Sequence, residues 1–313
     1  MAKYLVTGGA GFIGSHLVDA LVAQEHEVVV LDNLSTGKTE NLEVSSGRIQ
    51  FVKGSVTDLA TLRECCAGVD CVFHQAALAS VPRSVADPVL THEHNASGTL
   101  NVFWAAKEQD VPRVVYASSS SVYGDTEELP KHEQMRPTPL SPYAVSKYIG
   151  ELYGSVFDRL YGLSTIGLRY FNVFGPRQDP QSQYAAVVPL FITRFMSGEP
   201  PVIDGDGGQS RDFTFVRNVV EANLAAAAAP AGASGHVFNV ACADRITIAD
   251  LCAKIRGLVG AEIEPQHGPA RAGDVRHSQA DISLAAELMD YVPQIALDDG
   301  LDVTVQWYRQ VTV

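Results

Sequence analysis

The chain has 313 residues, 46% hydrophobic and 19% charged, which excludes a disordered tail, a coiled coil and a collagen-like chain and leaves room for a sizeable core without staples. Lys and Arg number 23 against 36 Asp and Glu, a net charge of −13, and no Lys/Arg run is present. Nucleic acid is therefore not the expected partner, because phosphate neutralisation supplies most of that affinity, and an anionic substrate would need a few local cations to hold it against the overall field.

Five cysteines are present: Cys65, Cys66, Cys71, Cys242 and Cys252. The odd number and the adjacent pair do not suit a disulfide framework, and no Cys/His cluster has zinc spacing. Reduced thiols and no metal are expected. The first residues lack the pattern of a secretory leader, and the run Ala225 to Ala229 is too short to span a bilayer. A soluble, cytoplasmic protein without membrane contact is expected.

In chain order, Tyr4 to Val6 reads as a strand, Gly14 to Ala23 as a helix and Glu27 to Leu31 as a second strand. Ile49 to Val52 is a third strand and Leu59 to Cys66 a helix. Cys71 to His74 is a fourth strand, Asn95 to Glu108 a helix and Arg113 to Ala117 a fifth strand. Val-rich strands alternating with helices imply a parallel sheet covered on both faces, an α/β doubly wound Rossmann fold. Beyond Gly162 the rhythm changes. Thr165 to Leu168 is still a strand, but Gly, Pro, Asp and Gln cluster in loops over 174–183 and 199–210. Helices follow near Val219 to Ala229 and Ile248 to Val259, and the C-terminal part reads as short and mixed. The expected division is a Rossmann domain over residues 1–168, with returning segments from about 213–240, and a smaller substrate part over 169–313.

Gly8-Gly9-Ala10-Gly11-Phe12-Ile13-Gly14 follows the first strand and opens a helix. Glycines let backbone approach a pyrophosphate whose charge the helix N-terminus favours. A tight turn is the bland alternative. Asp32, 18 residues after Gly14 (32 − 14), ends the second strand, where a carboxylate bonds adenosine ribose hydroxyls and repels a 2′-phosphate. NAD is favoured over NADP.

Tyr143 and Lys147 lie four apart, on one face of a helix that Ser141-Pro142 would start. A free phenol is a poor base at neutral pH; a neighbouring ammonium together with a positive nicotinamide would stabilise the phenolate and lower its pKa. Alone, this pair is more simply a half-buried Tyr and a solvated Lys on an amphipathic helix. The fifth strand, however, runs into Ser118-Ser119-Ser120-Ser121, and strand C-termini face the ligand crevice of a doubly wound sheet. Glycine loop, serine strand end and Tyr/Lys helix then converge.

Together these residues resemble the extended short-chain dehydrogenase/reductases, specifically their nucleotide-sugar 4-epimerases. The likeness extends through Gln75-Ala76-Ala77, Asn95, Leu168 to Arg177, Gly205-Asp206-Gly207, Ser210 to Phe213 and Gly273 to Asp281; the last stretch is similar to the branch acting on UDP-N-acetylhexosamines as well as UDP-hexoses. The resemblance implies NAD held by Gly8, Gly11, Phe12, Ile13, Gly14, Asp32, Asn33, Ser35, Thr36 and Gly37. Further contacts are implied at Ser55, Val56, Gln75, Ala76, Ala77, Ala79, Asn95, Ser118, Tyr143, Lys147 and Tyr170. It implies that Tyr143 takes the proton from the sugar 4-hydroxyl, that Ser119 bonds the 4-oxygen, that Lys147 bonds the nicotinamide ribose, and that Ser120 and Ser121 line the same wall. Asn172, Val188, Arg211, Arg271 and Asp274 would hold UDP, and Ser278 would leave room for an N-acetyl group.

Related 4,6-dehydratases carry an Asp-Glu pair where this chain has Ser120 and Ser121, so dehydration lacks its acid and base. Ser55 stands where an Asp is common; Asp58 is a candidate substitute. The resemblance implies a homodimer through the helices that begin at Asn95 and that bear Tyr143. Two rivals remain open here: a UDP-glucuronate 4-epimerase or another oxidoreductase of the same fold, and a non-catalytic NAD-sensing protein.

Overall fold

In the computed structural model, which describes residues 1–180, 186–270 and 276–311, the apolar runs form seven parallel strands. They are β1 (Lys3–Thr7), β2 (Glu27–Asp32), β3 (Ile49–Lys53), β4 (Cys71–His74), β5 (Arg113–Ser119), β6 (Ser164–Tyr170) and β7 (Val237–Val240). Their order across the sheet is β7-β6-β5-β4-β1-β2-β3. The direction of winding reverses between β1 and β4, and a crevice opens beyond the strand ends at such a point.

Period-2 alternation splits each strand between two cores. Val6, Val28, Val30, Phe73 and Val115 face α1 (Phe12–Ala23) and a later helix, while Leu5, Val29, Leu31, Val72 and Val114 face α2 (Leu59–Cys66) and α3 (Gly98–Glu108). Burying each such side chain contributes about 1.5–3 kcal/mol. The later helices are α4 (Pro142–Tyr161), α5 (Val187–Met196), α6 (Val216–Ala228), α7 (Ile248–Val259), α8 (Ser283–Met289) and α9 (Leu297–Val311). Helix α6 packs on the sheet; α5, α7 and α9 close a separate core around Phe174, Phe191 and Phe215. Side-chain caps start several helices. Asp58 accepts from Ala60 and Thr61 at α2, and Ser141 accepts from Ala144 at α4, with Pro142 at the first position.

Several elements differ from the sequence reading. The helix expected from Asn95 begins as a π turn over Glu93–Ser97. Two short helices precede it, Val81–Ala86 and Pro88–His92, each with Pro in its first turn. Strand β7, four residues long, is an element that the strand–helix pattern of the sequence does not mark. The C-terminal part is more regular than expected, containing α8 and α9. The 199–210 loop contains a short strand, Val202–Asp204, paired with Gln266–Gly268. Among the described residues all five thiols are free, no acid/His/Cys group could hold a metal, and no helix is long and apolar enough to cross a membrane.

His74 ties the centre of this framework. Thr99 Oγ1 donates to the Asn95 carbonyl at 2.5 Å, so it accepts from His74 Nε2 (2.9 Å), leaving Nδ1 to accept from Thr7 Oγ1 (2.8 Å). Burial, assisted by the charge of Lys147, pushes the imidazole down to about 3. The neutral form therefore stabilises the fold above the unfolded pKa of about 6.5 and is increasingly penalised below it. Between pH 7.5 and 5.5 this single group should remove about 1.4 kcal/mol. Denaturant unfolding at both pH values is expected to show that loss in the wild type and a shallower one in His74→Gln; equal slopes would contradict the assignment.

Candidate active site

The crevice floor is the loop between β1 and α1. Gly8 has φ +69°, and a Cβ there would meet Ala76 N at 2.6 Å; one on Gly14 would meet the Gly8 carbonyl at 2.2 Å. Gly11 is the helix N-cap and offers no side chain to the first turn. The N-terminal N–H groups therefore face the crevice with a cradle of bare backbone around them, which suits a pyrophosphate. Phe12 and Ile13 form the first helical residues.

Asp32 is buried at the end of β2. Its Oδ2 accepts from Ala10 N (3.0 Å) and its Oδ1 from Leu34 N (2.8 Å). The turn role and the ligand role are thus compatible: each oxygen keeps a second acceptor site. Gly37 packs so closely that a Cβ would lie 2.9 Å from Oδ2. Asn33 caps Ser35 N, and Ser35 and Thr36 are exposed beside it. A carboxylate so placed fits NAD and disfavours a 2′-phosphate.

The rim past β3 and β4 completes that half. Ser55 Oγ bonds Thr57 Oγ1 (2.8 Å), and Val56 is buried against Gly98. Asp58 is engaged as the α2 cap, accepting from two amides and from Thr61 Oγ1. Asn95 accepts from Leu78 N (2.8 Å) and donates to Ser146 Oγ (3.1 Å), latching the Gln75–Ala79 loop to α4; its amide holds the wall in place. Ala77 is part-buried on this loop and Ala79 exposed. Gln75 donates to Asn223 Oδ1 (2.9 Å) and accepts from Tyr170 OH (3.1 Å).

The chemical groups meet where β5 ends. Ser119 Oγ accepts from Ser121 N (3.2 Å) and Ser121 Oγ (2.9 Å), which fixes its hydroxyl beside Ser120 at the start of a tight turn. Lys147 is buried, donates to Ala117 O at 2.9 Å and lies 6.0 Å from the Tyr143 ring centroid. Burial brings the ammonium down to about 8, and the charge of Glu151 opposes the fall. Burial pushes the Tyr143 phenol up, partly offset by a hydrogen bond with Ser119.

The opposite wall comes from the C-terminal half. A cleft of about 260 Å³ is lined by Asn172, Val188, Phe191, Gln209, Arg211 and Phe213, among others. Asn172 sits at φ +32° and donates to the Asp212 carbonyl (2.9 Å). Arg211 is part-buried and donates to Ser210 O (2.8 Å) and Arg276 O (3.3 Å). Ser278 is buried, its N–H on Ser210 O (3.0 Å). Arg271 and Asp274 lie outside the described residues. Sequence reasoning gave no role to Asp212, Asn223 or Glu151. Asp212 is fully buried and accepts from Cys242 N (3.0 Å) and Ala280 N (3.2 Å), clamping two wall segments together, and burial pushes it up to about 7. Only a run of neighbours in sequence pointed to it; its partners are 30 and 68 residues away.

With this geometry in hand, comparisons with known proteins are specific. A model of the NAD dependent epimerase/dehydratase family matches residues 4–241. A "UDP-glucose 4-epimerase" of Mycolicibacterium smegmatis is 42% identical over 312 residues, covering 98% of either chain. Among solved structures, a "UDP-N-acetylglucosamine 4-epimerase" of Methanobrevibacter ruminantium, in complex with UDP-N-acetylmuramic acid, superposes with a TM-score of 0.95 at 42% identity, covering 99% of both chains. A "UDP-Glucose 4-Epimerase" of Thermotoga maritima with UDP-glucose gives 0.95 at 38% identity, covering 99% of this chain and 100% of its own.

The cradle makes a direct expectation. Gly14→Ala should destabilise the fold by about 1–3 kcal/mol through overpacking and weaken NAD binding by about tenfold or more. Gly257→Ala, in α7 with nothing within 4 Å of the added carbon, is the control. Calorimetric titration with NAD and melting curves check this; unchanged affinity in Gly14→Ala would contradict it.

Proposed function

Because this chain belongs to the NAD dependent epimerase/dehydratase family, we propose that it inverts C4 of a UDP-hexose, taking UDP-glucose and UDP-galactose and also UDP-N-acetylglucosamine and UDP-N-acetylgalactosamine. The observation that carries the reading is the meeting of Ser119, Tyr143 and Lys147 at the end of β5, beside the glycine cradle.

NAD, when bound, supplies the acceptor and then the donor of the hydrogen exchanged with C4. The chain's own groups do the rest. The glycine cradle and the α1 N-terminus hold the pyrophosphate, and Asp32 holds the ribose. Tyr143 takes the proton of the 4-hydroxyl and later returns one to the 4-oxygen. Ser119, its hydroxyl oriented by Ser121, bonds that oxygen throughout. Lys147, still mostly an ammonium at pH 7, bonds the nicotinamide ribose and supplies the positive charge that a phenolate needs. Asn172, Val188, Arg211, Arg271 and Asp274 hold the UDP moiety, with arginine forks on its phosphates. The uracil-ribose end stays anchored while the keto sugar presents its other face. Ser278, a small side chain, leaves room for a 2-N-acetyl group. The sheet half thus serves the cofactor and residues 169–313 mainly the UDP-sugar.

The apolar groove between α3 and α4, lined by Ala96, Leu100, Leu152 and Tyr153, supports a homodimer through these helices; Leu152 is 52% exposed and Val145 42%. Sedimentation should give twice the chain mass, and Leu152→Arg should shift it toward one; a monomeric wild type would contradict the dimer.

Purified protein incubated with UDP-glucose, UDP-N-acetylglucosamine and UDP-glucuronate, without added NAD, tests the function. Interconversion of the first two at C4 is expected, and Tyr143→Phe should lower turnover by about 10²–10⁴-fold. Net NADH production, turnover of the glucuronate alone, or full activity in Tyr143→Phe would overturn it.

A further inference from the structure

Tyr143, Lys147 and Glu151 recur every four residues, so they share one face of α4. Three consecutive residues of β5 meet that face one for one. Ala117 O accepts from Lys147 Nζ (2.9 Å), Ser118 Oγ donates to Glu151 Oε1 (2.5 Å), and Ser119 lies near enough to Tyr143 to offset part of the rise of its phenol. The strand end and the helix face are therefore zipped through all three side chains, and the third, Glu151, has no part in the chemistry described above.

Glu151 is itself held from β6. Arg169 Nε donates to Oε1 (2.9 Å) and Nη2 to Oε2 (2.7 Å), with both side chains 4% exposed. The guanidinium lies over the Tyr123 ring, 4.6 Å from its centroid, and its Nη1 is buried without a partner. A buried ion pair with an unmet donor is a poor source of stability, since apolar side chains of like volume are often as good or better. Its placement one turn from Lys147 gives it another use. Burial strips water from the Lys147 ammonium and drives it toward the neutral amine; a carboxylate on the same face is the group that opposes this.

We propose that Glu151, held by Ser118 on the strand end, is a positioning residue that keeps Lys147 protonated and seated on Ala117, so that the cation persists at the reacting end of the crevice. Arg169 moderates the charge of that carboxylate. The inference rests on the epimerase reading only in what Lys147 is needed for; the coupling itself belongs to the protein. The other titratable groups around this set are Tyr143 on α4, His74 on β4, Tyr116 on β5, Arg169 and Tyr170 on β6, and Tyr123 and Glu133 beyond Arg169. His74 is held neutral and Tyr116 and Tyr170 are pushed up by burial, so none of these three changes charge near neutrality.

The test follows the lysine directly. Protein grown with [ε-13C]lysine is titrated by NMR from pH 6 to 10, the Lys147 signal being the one absent in Lys147→Met. Glu151→Gln is expected to move the Lys147 midpoint down by about one pH unit, because it removes an anion and leaves Arg169 unopposed. Arg169→Gln is expected to move it up, because the carboxylate then acts without a compensating cation, and Glu151→Asp to keep it near the wild-type value. The alkaline limb of the kcat profile for UDP-glucose should move in step. Opposite shifts are not produced by loosened packing, which would lower melting temperature in both variants without ordering their midpoints; should one variant not fold, the direction given by the other decides. A Lys147 midpoint that stays put or rises in Glu151→Gln, or that fails to rise in Arg169→Gln, overturns the proposal. Shifted midpoints in a protein that epimerises no UDP-sugar would uphold it and overturn the functional reading instead.

Discussion

Everything at the crevice depends on how one helix is pressed against one strand end. Helix α4 presents Tyr143, Lys147 and Glu151 at a four-residue interval, and β5 offers a carbonyl and two hydroxyls at matching height. Neither partner alone gives a reactive arrangement. An exposed lysine would remain a fully hydrated cation with no fixed position. An exposed tyrosine would lack the serine hydroxyl that stabilises its phenolate. Burial makes the groups precise and also penalises their charged forms, raising the phenol and lowering the ammonium. The buried Glu151–Arg169 pair is the counterweight within the fold.

Much of this was legible in the sequence because it is local. Gly8, Gly11 and Gly14 are one turn of backbone, and steric contacts as short as 2.2 Å explain why side chains are missing there. Asp32 is readable from its distance to that turn, and Tyr143 and Lys147 from helical spacing. The strand–helix alternation gave the sheet because every central strand is buried on both faces. Less legible were elements without a pattern of their own. Strand β7 has four residues and declares itself only by pairing with β6. Helix α9 is amphipathic, but its apolar stripe faces Phe174 and Phe215 rather than the sheet.

Long-range polar partnerships were hidden for a different reason. Asp212 clamps Cys242 and Ala280, Asn223 meets Tyr170 and Gln75, and Glu151 meets Arg169. Each is an ordinary polar residue until the fold brings its partner across. Asp58 shows the converse. It is a candidate substitute for the acid absent at Ser55, and the fold also gives its carboxylate the start of α2 to cap.

A protein of net charge −13 that handles a dianionic diphosphate must place its few useful cations with care. Arg211 is held by two backbone carbonyls at the cleft, and Lys147 by one at its inner end. If both serve a sugar whose C4 hydrogen leaves and returns within one closed crevice, that hydrogen never meets solvent. UDP-glucose carrying deuterium at C4, converted to equilibrium in ordinary water and analysed by mass spectrometry and proton NMR, is therefore the most direct measurement. Full retention of deuterium at C4 of the galactose product is expected; its replacement by solvent hydrogen would contradict an inversion carried out by Tyr143, Ser119 and Lys147 in this site.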